Sequence, residues 1–216
     1  MRIRNVKNKE EILNNCSFLI ENPKEYKGKF NELFGNDNPI YLEIGMGKGQ
    51  FIYENAKKYK DINFIGIERF DSIMAKAILK MEEVPNLRLI KYDASLIEEV
   101  FNHEIDKLYL NFSDPWPKNR HENRRLTSRV FLEKYQNIFK DKQQIEVRTD
   151  NRDFFLYSVE SLGDMEYTLN DVSFNYQAKD LIMTEYESKF RKKGAKIYHL
   201  FAEKWFKKFI LFAIIG

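Results

Sequence analysis

Short apolar segments alternate with segments of helical periodicity along most of the chain. Runs of strand length and character predict strands at residues 40–44, 63–67, 87–91, 108–110, 144–148 and 197–205. Helical spacing predicts helices at residues 50–59, 71–81, 127–138, 152–162 and 184–193. Asp71 is the expected N-cap of the second helix, and Thr127 is expected to start the third. This alternation indicates an α/β fold, in which a parallel sheet carries helices on both faces.

An acidic residue stands at the end of each of the first five predicted strands. These residues are Glu43, Glu68, Asp93, Asp114 and Asp150. A single acid after a strand is common because turns favour Asp, but repetition along one edge of the sheet points to a site. Ligands of such sheets bind beyond the carboxyl ends of the strands. We therefore expect the binding site at this edge.

The first strand runs into a glycine-rich turn that precedes the first helix. Its glycines are Gly45, Gly47 and Gly49. They permit positive φ and allow a ligand to approach the backbone. A P-loop would need Ser or Thr directly after Lys48, and a dinucleotide fingerprint would need its third glycine where Gln50 stands. Glu43 would repel the phosphates of a dinucleotide, whereas it suits a cofactor that has an ammonium group and no phosphate.

The acids of the next two strands favour S-adenosylmethionine as that cofactor. Glu68 ends the second strand, where a carboxylate can accept hydrogen bonds from both ribose hydroxyls. Asp93, which is followed by the small residue Ala94, can receive the adenine amino group. Without a ligand the glycines would form only a tight turn, and that alternative stays open.

Residues 111–118 read Asn-Phe-Ser-Asp-Pro-Trp-Pro-Lys. Asp114 and Trp116 each precede a proline, so we expect a stiff loop. A cationic group comes with it, consisting of Lys118, Arg120, Arg124, Arg125 and Arg129. The acid and the aromatic residue suit a planar hydrogen-bonding ring, and the cations suit a phosphate backbone. The loop therefore predicts a pocket for a nucleobase within a nucleic acid, although a solvated helix face would also explain the charges. Trp116 could stack on that base or only hold the loop together.

Composition limits the compartment and the class of protein. The chain has 216 residues, 43% of them hydrophobic, with a formal net charge of +3. Cys16 is the only cysteine, which excludes an internal disulfide and a thiolate zinc cluster, and no metal site is predicted. The basic start lacks the apolar core of a signal peptide, and the apolar run 209–215 is too short to span a bilayer. We expect a cytoplasmic monomer or homodimer, with that run covering a core edge or a subunit contact.

The chain resembles the bacterial tRNA (guanine-N7)-methyltransferases, a family of class I S-adenosylmethionine-dependent enzymes. The strongest likeness is N-F-S-D-P-W-P-K with R-H-E-N-R-R-L-T, which together lie within residues 111–127. The segments 148–151 and 184–187 also match. The resemblance implies a Rossmann-like methyltransferase fold with a mostly parallel seven-stranded sheet. It divides the chain into an N-terminal extension, 1–34, and a methyltransferase domain, 35–216.

The resemblance also implies roles for single residues. The positions that contact the cofactor in the family match Glu43, Glu68, Asp93 and Asp114. Those that contact the substrate match Lys118, Asp150 and the segment from Thr184 to Glu187. A basic loop, 118–129, is expected to bind RNA, and the residues that engage RNA are Arg120, His121, Arg124 and Arg125. The implied substrate is a guanine in the variable loop of tRNA.

The chemistry of guanine N7 sets what the protein must supply. N7 has a free lone pair and no proton, so it can attack a methyl group directly and needs no general base. Catalysis is then expected from in-line placement and from a carboxylate near the ring, which gains positive charge. Asp114 is the candidate for that carboxylate. Asp150 could accept hydrogen bonds from guanine N1–H and the exocyclic amine, while His103 and His199 are expected at the surface or in the core.

Other functions are compatible with parts of this pattern. A methyltransferase acting on an exocyclic base nitrogen would have a similar loop, and mapping the methylated atom would separate the two. A tRNA-binding module could keep the cofactor fold without activity, which cofactor calorimetry would reveal. A dinucleotide-dependent oxidoreductase is disfavoured by Glu43 and by the spacing of the glycines.

Overall fold

The computed structural model describes residues 6–205, which form eight strands and seven α-helices. The strands are β1 (Leu19–Ile20), β2 (Ile40–Ile44), β3 (Asn63–Glu68), β4 (Leu87–Lys91), β5 (Lys107–Asn111), β6 (Lys142–Thr149), β7 (Thr168–Ser173) and β8 (Tyr198–Trp205). The helices are α1 (Lys9–Asn14), α2 (Phe30–Phe34), α3 (Gln50–Lys58), α4 (Asp71–Ile78), α5 (Arg129–Gln136), α6 (Arg152–Asp164) and α7 (Glu185–Lys192). The apolar run predicted to cover a core edge, 209–215, lies outside the described residues.

The strands form one sheet in the order β1-β4-β3-β2-β5-β6-β8-β7. The pairs from β1 to β6 are parallel, and β8 is antiparallel to both β6 and β7. The predicted α/β class and mostly parallel sheet are confirmed, but the sheet has eight strands and not seven. The extra strand is β1, whose two residues pair with β4; so short a segment leaves no periodic signal in the sequence. The polar edge strand β7 was also not located from the sequence.

The order of the strands places a topological switch point at the centre of the sheet. From β2 the chain builds outwards through β3 to β4, and then returns to place β5 on the other side of β2. The carboxyl ends of β2 and β5 therefore diverge into separate connections, which is where open α/β sheets bind ligands. Two buried apolar clusters support this region, and Ile40 and Leu42 of β2 are fully buried.

The predicted N-cap of α4 and the predicted start of α5 are wrong, although α4 begins at residue 71 as predicted. Helix α4 begins at Asp71 itself with Phe70 as its N-cap, because the Asp71 carboxylate forms ion pairs with two lysines outside the helix. Helix α5 has Ser128 as its N-cap, because the hydroxyl of Thr127 lies 2.8 Å from that of Ser158 and belongs to the interior. Both errors arise because a side chain had a tertiary partner that local sequence does not reveal.

Residues 6–34 pack against the main sheet. Besides the pairing of β1, the ring of Phe30 is fully buried and lies 4.9 Å from that of Phe101. The Glu104 carboxylate accepts hydrogen bonds from the backbone N–H groups of Gly28 and Phe30 at 2.9 and 3.1 Å. The domain boundary at residue 34 stays a prediction. Among residues 6–205, the helices are all too short or too polar to cross a bilayer.

Candidate active site

The glycine-rich turn between β2 and α3 depends on positive φ angles. Gly45, Gly47 and Gly49 have φ values of 74°, 59° and 71°, which disfavour other residues. The backbone N–H groups of Gly45 and Met46 donate to the carbonyl of Ile67 at 2.9 and 3.0 Å, which ties the turn to β3. Among the described residues other than the chain neighbours, no heavy atom lies within 4 Å of the position that a Cβ would take at Gly45 or Gly47, whereas at Gly49 it would meet Met81. The turn thus has open space on the side where the sequence predicts the cofactor.

Glu43 is a buried carboxylate with one oxygen that has no hydrogen-bond partner among the described residues. Its side chain is nearly inaccessible, with a relative exposure of 1%. Oε1 accepts a hydrogen bond from Asn111 Nδ2 at 2.9 Å, while Oε2 is unpaired. Burial raises the pKa of Glu43 to about 8, although Asn111 and Arg148 act in the opposite direction. An unpaired buried carboxylate oxygen fits a cationic ligand group, such as the ammonium of S-adenosylmethionine.

Two more buried polar atoms at the switch point are also unpaired. Asn111 Oδ1 and Ser113 Oγ have no hydrogen-bond partner in the described part of the chain. The sequence placed both residues in the conspicuous loop segment but assigned neither a role. The strand register could have suggested Asn111, since Glu43 pairs with Tyr109 and Asn111 is two residues further along β5 on the same face. Unpaired buried polar groups are rare and favour a bound polar ligand or water.

Glu68 connects the end of β3 to the glycine-rich turn. Its Oε1 accepts from the backbone N–H groups of Arg69 and Phe70 at 2.9 and 3.0 Å, and its Oε2 accepts from that of Gly47 at 3.2 Å. Burial raises its pKa, and these three hydrogen bonds counteract that effect. A carboxylate has about four acceptor positions, so room for a ribose hydroxyl is left. The predicted ribose contact stays a prediction.

Asp93 and Ala94 lie at the end of β4. The Asp93 carboxylate caps the 3-10 helix Ala94–Glu99 by accepting from the backbone N–H of Ser95 at 2.8 Å, and this contact lowers its pKa. The other carboxylate oxygen is 3.9 Å from the guanidinium of Arg69. Asp93 is exposed and Ala94 is half-buried. Their predicted contact with adenine is therefore sterically open.

The loop after β5 is held in shape by Arg125. Its guanidinium donates to the carbonyls of Pro115 and Trp116 at 3.1 Å and lies 4.2 Å from the ring centroid of Tyr157. Trp116 has a φ of 42°, a strained value for a non-glycine residue. Asp114 is exposed. The loop is thus stiff for a further reason besides its prolines, and Arg125 is committed to internal contacts.

The indole of Trp116 contacts the basic segment that follows it. The Arg124 guanidinium lies 5.0 Å from its ring centroid, and the His121 ring meets it edge-on at 5.6 Å. These contacts support the packing alternative for Trp116. By contrast, Lys118 and Arg120 are exposed at the start of the 3-10 helix Asn119–Arg124. Arg124 and Arg129 of the predicted RNA-binding group are exposed as well, but each contacts another side chain.

The predicted acceptor residues lie at the end of β6 and the start of α7. Asp150 is half-buried, and burial raises its pKa. Thr184 is the N-cap of α7 and accepts from the backbone N–H of Glu187 at 2.9 Å. Glu187 is fully buried and pairs with the guanidinium groups of Arg191 at 2.7 Å and Arg148 at 3.7 Å. The structure therefore places Asp150 and Thr184 at the surface of the site and Glu187 beneath it.

The acids at the strand ends follow one another along the carboxyl edge. The sheet order β4-β3-β2-β5-β6 gives the spatial sequence Asp93, Glu68, Glu43, Asp114 and Asp150. Glu43 and Glu68 are buried at its centre, and the others are more accessible. Within residues 6–205, no group of three or more His, Cys, Asp or Glu side chains is arranged to hold a metal ion. The edge is therefore an acidic rim with the glycine-rich turn at its middle.

Comparison with known proteins gives matches over most of the chain. A family model described as "Putative methyltransferase" matches residues 37–200. A tRNA (guanine-N(7)-)-methyltransferase of Geobacillus sp. (strain WCH70) is 48% identical over 205 residues, which are 92% of this chain and 93% of that relative. A Bacillus licheniformis protein of the same name is 46% identical over 89% of this chain and 93% of its own length.

A solved structure has the same fold at low sequence identity. It is a mutant 16S rRNA (adenine(1408)-N(1))-methyltransferase from Catenulisporales acidiphilia with cosubstrate SAM, with a TM-score of 0.61 and 13% identity over 86% of this chain and 92% of that chain. The fold and the glycine-rich turn at its switch point define a Rossmann-like methyltransferase. With the sequence matches, they place the chain more narrowly. It belongs to the tRNA (guanine-N7)-methyltransferase family, so the resemblance inferred from the sequence is confirmed.

Proposed function

We propose that this protein transfers a methyl group from S-adenosylmethionine to N7 of a guanine in the variable loop of tRNA, in the cytoplasm. The observation that carries the donor half is the unpaired, buried Oε2 of Glu43 beside an open glycine-rich turn. The acceptor half is supported by its relatives of 46–48% identity, which are tRNA (guanine-N(7)-)-methyltransferases by name. Monomer and homodimer are both compatible with the proposal.

The donor would be held by the central part of the acidic rim. Glu43 would pair with the ammonium group, the backbone of Gly45 and Gly47 would allow close approach, and Glu68 would accept from a ribose hydroxyl. Asp93 and Ala94 would face the adenine. S-adenosylmethionine supplies a methyl group on a positively charged sulfur. The task of these residues is to bind and orient that group towards the acceptor side.

The acceptor base would lie between the loop after β5 and the end of β6. Because N7 carries no proton, none of these residues has to act as a general base. Asp114, exposed at this edge, would face the purine ring and stabilise the positive charge that it gains. The half-buried Asp150 would accept from N1–H and the exocyclic amine, which fixes the ring so that N7 points to the donor in line.

The RNA backbone would be held by the basic loop 118–129. Lys118 and Arg120 are exposed cations there that face solvent beside Arg124 and Arg129, and phosphate contacts position a nucleic acid without reading its sequence. Arg124 and His121 would add contacts from beside Trp116. Arg125, which was also predicted to bind RNA, would act there mainly by keeping the loop in shape.

Nucleoside analysis tests the proposal directly. The pure protein is incubated with unmodified tRNA and a donor with a labelled methyl group, and the RNA is then reduced and treated with aniline. We expect label in 7-methylguanosine and strand cleavage at one variable-loop position. Label in a base that resists cleavage would instead favour an exocyclic nitrogen as the target. Donor binding by calorimetry without any label transfer would favour an inactive tRNA-binding module.

A further inference from the structure

Three consecutive residues in the first turn of α7 contact three different parts of the candidate active site. Glu185 Oε1 is 2.7 Å from Lys48 Nζ of the glycine-rich turn. The ring of Tyr186 lies 5.2 Å from that of Phe112, which starts the loop after β5. Glu187 lies against Arg148 of β6. This turn of helix therefore joins the predicted donor and acceptor elements.

The contact of Glu185 is the only one of the three that reaches the glycine-rich turn. Lys48 stands between Gly47 and Gly49, two residues with positive φ, so the direction of its side chain follows the shape of the turn. Both side chains are partly shielded, with relative exposures of 32% for Lys48 and 28% for Glu185. A shielded ion pair between two elements is screened less by salt than a pair at the open surface.

Other lysines also meet the Glu185 carboxylate, and they offer internal controls. Lys80, which follows α4, is 3.4 Å from Oε2. Lys189 is 2.8 Å from Oε1 and belongs to α7 itself, one helical turn away. Hydrogen bonds from Lys189 and Lys48 lower the pKa of Glu185 to about 2, so the carboxylate is charged at every working pH. Lys189 pairs with the same carboxylate as Lys48, but both partners of that pair belong to α7, so the pair does not connect α7 to another element.

We propose that Lys48 is a positioning residue, which acts through Glu185 to hold the first turn of α7 in place when the glycine-rich turn is ordered. The inference rests on the proposed function, since that function assigns the donor to the glycine-rich turn and the acceptor to the loop after β5 and the end of β6, which α7 contacts through Tyr186 and Glu187. Donor binding then orders the segment that receives the tRNA. The two substrates are thereby coupled through one ion pair.

Hydrogen exchange of the α7 amides tests the coupling without any methyl transfer. Full-length wild type, Lys48→Met and Lys189→Gln are compared with and without S-adenosylhomocysteine. In wild type and Lys189→Gln, we expect the ligand to slow exchange across residues 185–192. In Lys48→Met, we expect roughly threefold faster exchange without ligand and little further slowing with it, which is the scale of a single partly exposed ion pair. Equal behaviour of Lys48→Met and Lys189→Gln would overturn the proposal.

Kinetics test whether the Lys48–Glu185 ion pair, which we call the latch, contributes to methyl transfer. Lys48→Met, Glu185→Gln and the double variant should each raise the KM for tRNA by roughly threefold. The double variant should not exceed Glu185→Gln, because Glu185→Gln already removes the pair with Lys48 together with those of Lys80 and Lys189. Lys48→Arg should restore the wild-type KM, and the Kd for the donor should stay within about twofold throughout. A loss of donor affinity in Lys48→Met that is absent in Glu185→Gln would show direct contact with the donor and refute the positioning role.

These experiments separate the two proposals. If the protein transfers no methyl group to tRNA but the α7 amides respond to the donor through Lys48, the proposed function fails and the latch stands. If 7-methylguanosine forms but the α7 amides ignore both the ligand and Lys48→Met, the function stands and the latch fails.

Discussion

Glu43 and Glu146 are two buried carboxylates that flank Tyr109 in the register of the sheet, and their pKa values are shifted in opposite directions. Their residues are 1% and 7% exposed. Burial acts to raise the pKa of each carboxyl, and for Glu43 this effect is larger than the opposing contacts. For Glu146, contacts with His199, Lys107 and Arg148 outweigh burial and hold the pKa well below its usual range. Burial alone therefore does not decide the charge of these groups; their partners do.

The partners also separate a structural charge from one available for binding. Glu146 is satisfied from three sides, with Lys107 Nζ at 2.8 Å and Arg148 Nη2 at 2.7 Å. Within residues 6–205, Glu43 has no ion-pair partner: the Asn111 amide donates to Oε1, a smaller contact with the Ile52 backbone also lowers its pKa, and Oε2 has no hydrogen-bond partner by distance. The contrast predicts that changes near Glu146 reduce stability, whereas changes at Glu43 reduce binding of the donor.

The largest expected loss of stability comes from removing Arg148, the cation that pairs with both Glu146 and Glu187. Arg148→Met leaves Glu146 and Glu187 with fewer partners in a buried setting, and breaking such a pair costs about 3–5 kcal/mol of unfolding free energy. Chemical denaturation measures it. Arg129→Met is the matched control, because Arg129 forms an exposed pair with Glu133, and its loss should cost less than about 1 kcal/mol. Similar losses of unfolding free energy in both variants would show that the buried charges around Arg148 contribute no more to stability than an exposed pair.

The next largest effect is a loss of donor affinity on replacing Glu43, the buried carboxylate that is available for binding. Glu43→Gln keeps an acceptor for Asn111 but removes the charge, so the Kd for S-adenosylmethionine should rise about a hundredfold or more at pH 7.5. Calorimetry measures the Kd. The thermal midpoint should stay close to that of wild type, because Glu43 is mostly protonated in the free protein at pH 7.5 and Gln is a neutral side chain of similar shape. A Glu43→Gln protein that binds the donor normally but unfolds early would reverse the assignment.

The pH dependence of donor binding sharpens the same contrast. The pKa of Glu43 is about 8, so below that pH its carboxyl is protonated in the free protein. That proton must leave before the carboxylate can pair with the ammonium group of the donor. Donor affinity should therefore rise about tenfold per pH unit between pH 6 and 7.5, with release of one proton. Calorimetry in buffers of different ionisation enthalpy measures that proton. The dependence should be flat in Glu43→Gln, and a flat wild-type profile would contradict the raised pKa.

Protein stability should follow the opposite trend in this range. The ordinary pKa of the carboxyl, 4.5 in the unfolded chain, lies below its folded value, so the folded state binds the extra proton between the two. The contribution of Glu43 to the free energy of unfolding is therefore largest at low pH and falls as the pH rises towards 8. Comparing wild type with Glu43→Gln over this range isolates that contribution.

The smallest effects distinguish the cations of the RNA-binding loop. Lys118→Gln and Arg120→Gln should each lower the salt dependence of tRNA binding by about one phosphate contact, with stability unchanged. Arg125→Gln should leave the slope nearly constant and lower the thermal midpoint, because Arg125 donates to Pro115 and Trp116. A reduced slope in Arg125→Gln at constant stability would return this residue to the RNA contacts implied by the family.

Local sequence was enough to predict the parts of the site that local sequence builds. The glycine-rich turn follows from glycines at fixed spacing, and the acidic rim follows from acids at strand ends. The pairing of Asn111 with Glu43 could not be read this way, because it depends on the register between β2 and β5. The same is true of His199, whose buried position comes from the antiparallel pairing of β8 with β6.

Structural roles of charged residues were the hardest to predict. Arg125 and Glu187 look like ligand contacts in the sequence, since each stands in a motif rich in charge. Their actual partners, the Trp116 carbonyl and the Arg148 guanidinium, are 9 to 39 residues away. Sequence spacing gives no measure of whether a charge faces solvent or another side chain. The roles of these residues towards RNA stay predictions for that reason.

Gly66, in the middle of β3, bears on the shape of a pocket that it does not line. A methyl group at this position would come within 2.4 Å of the sulfur of Met46, with Leu89 and Ile52 close on the other sides. Met46 belongs to the glycine-rich turn, so a side chain at residue 66 would have to displace the Met46 side chain from beneath that turn. The packing beneath the glycine-rich turn therefore depends on the absence of a side chain at Gly66. A substitution there is expected to lower activity while leaving every residue that contacts a ligand in place.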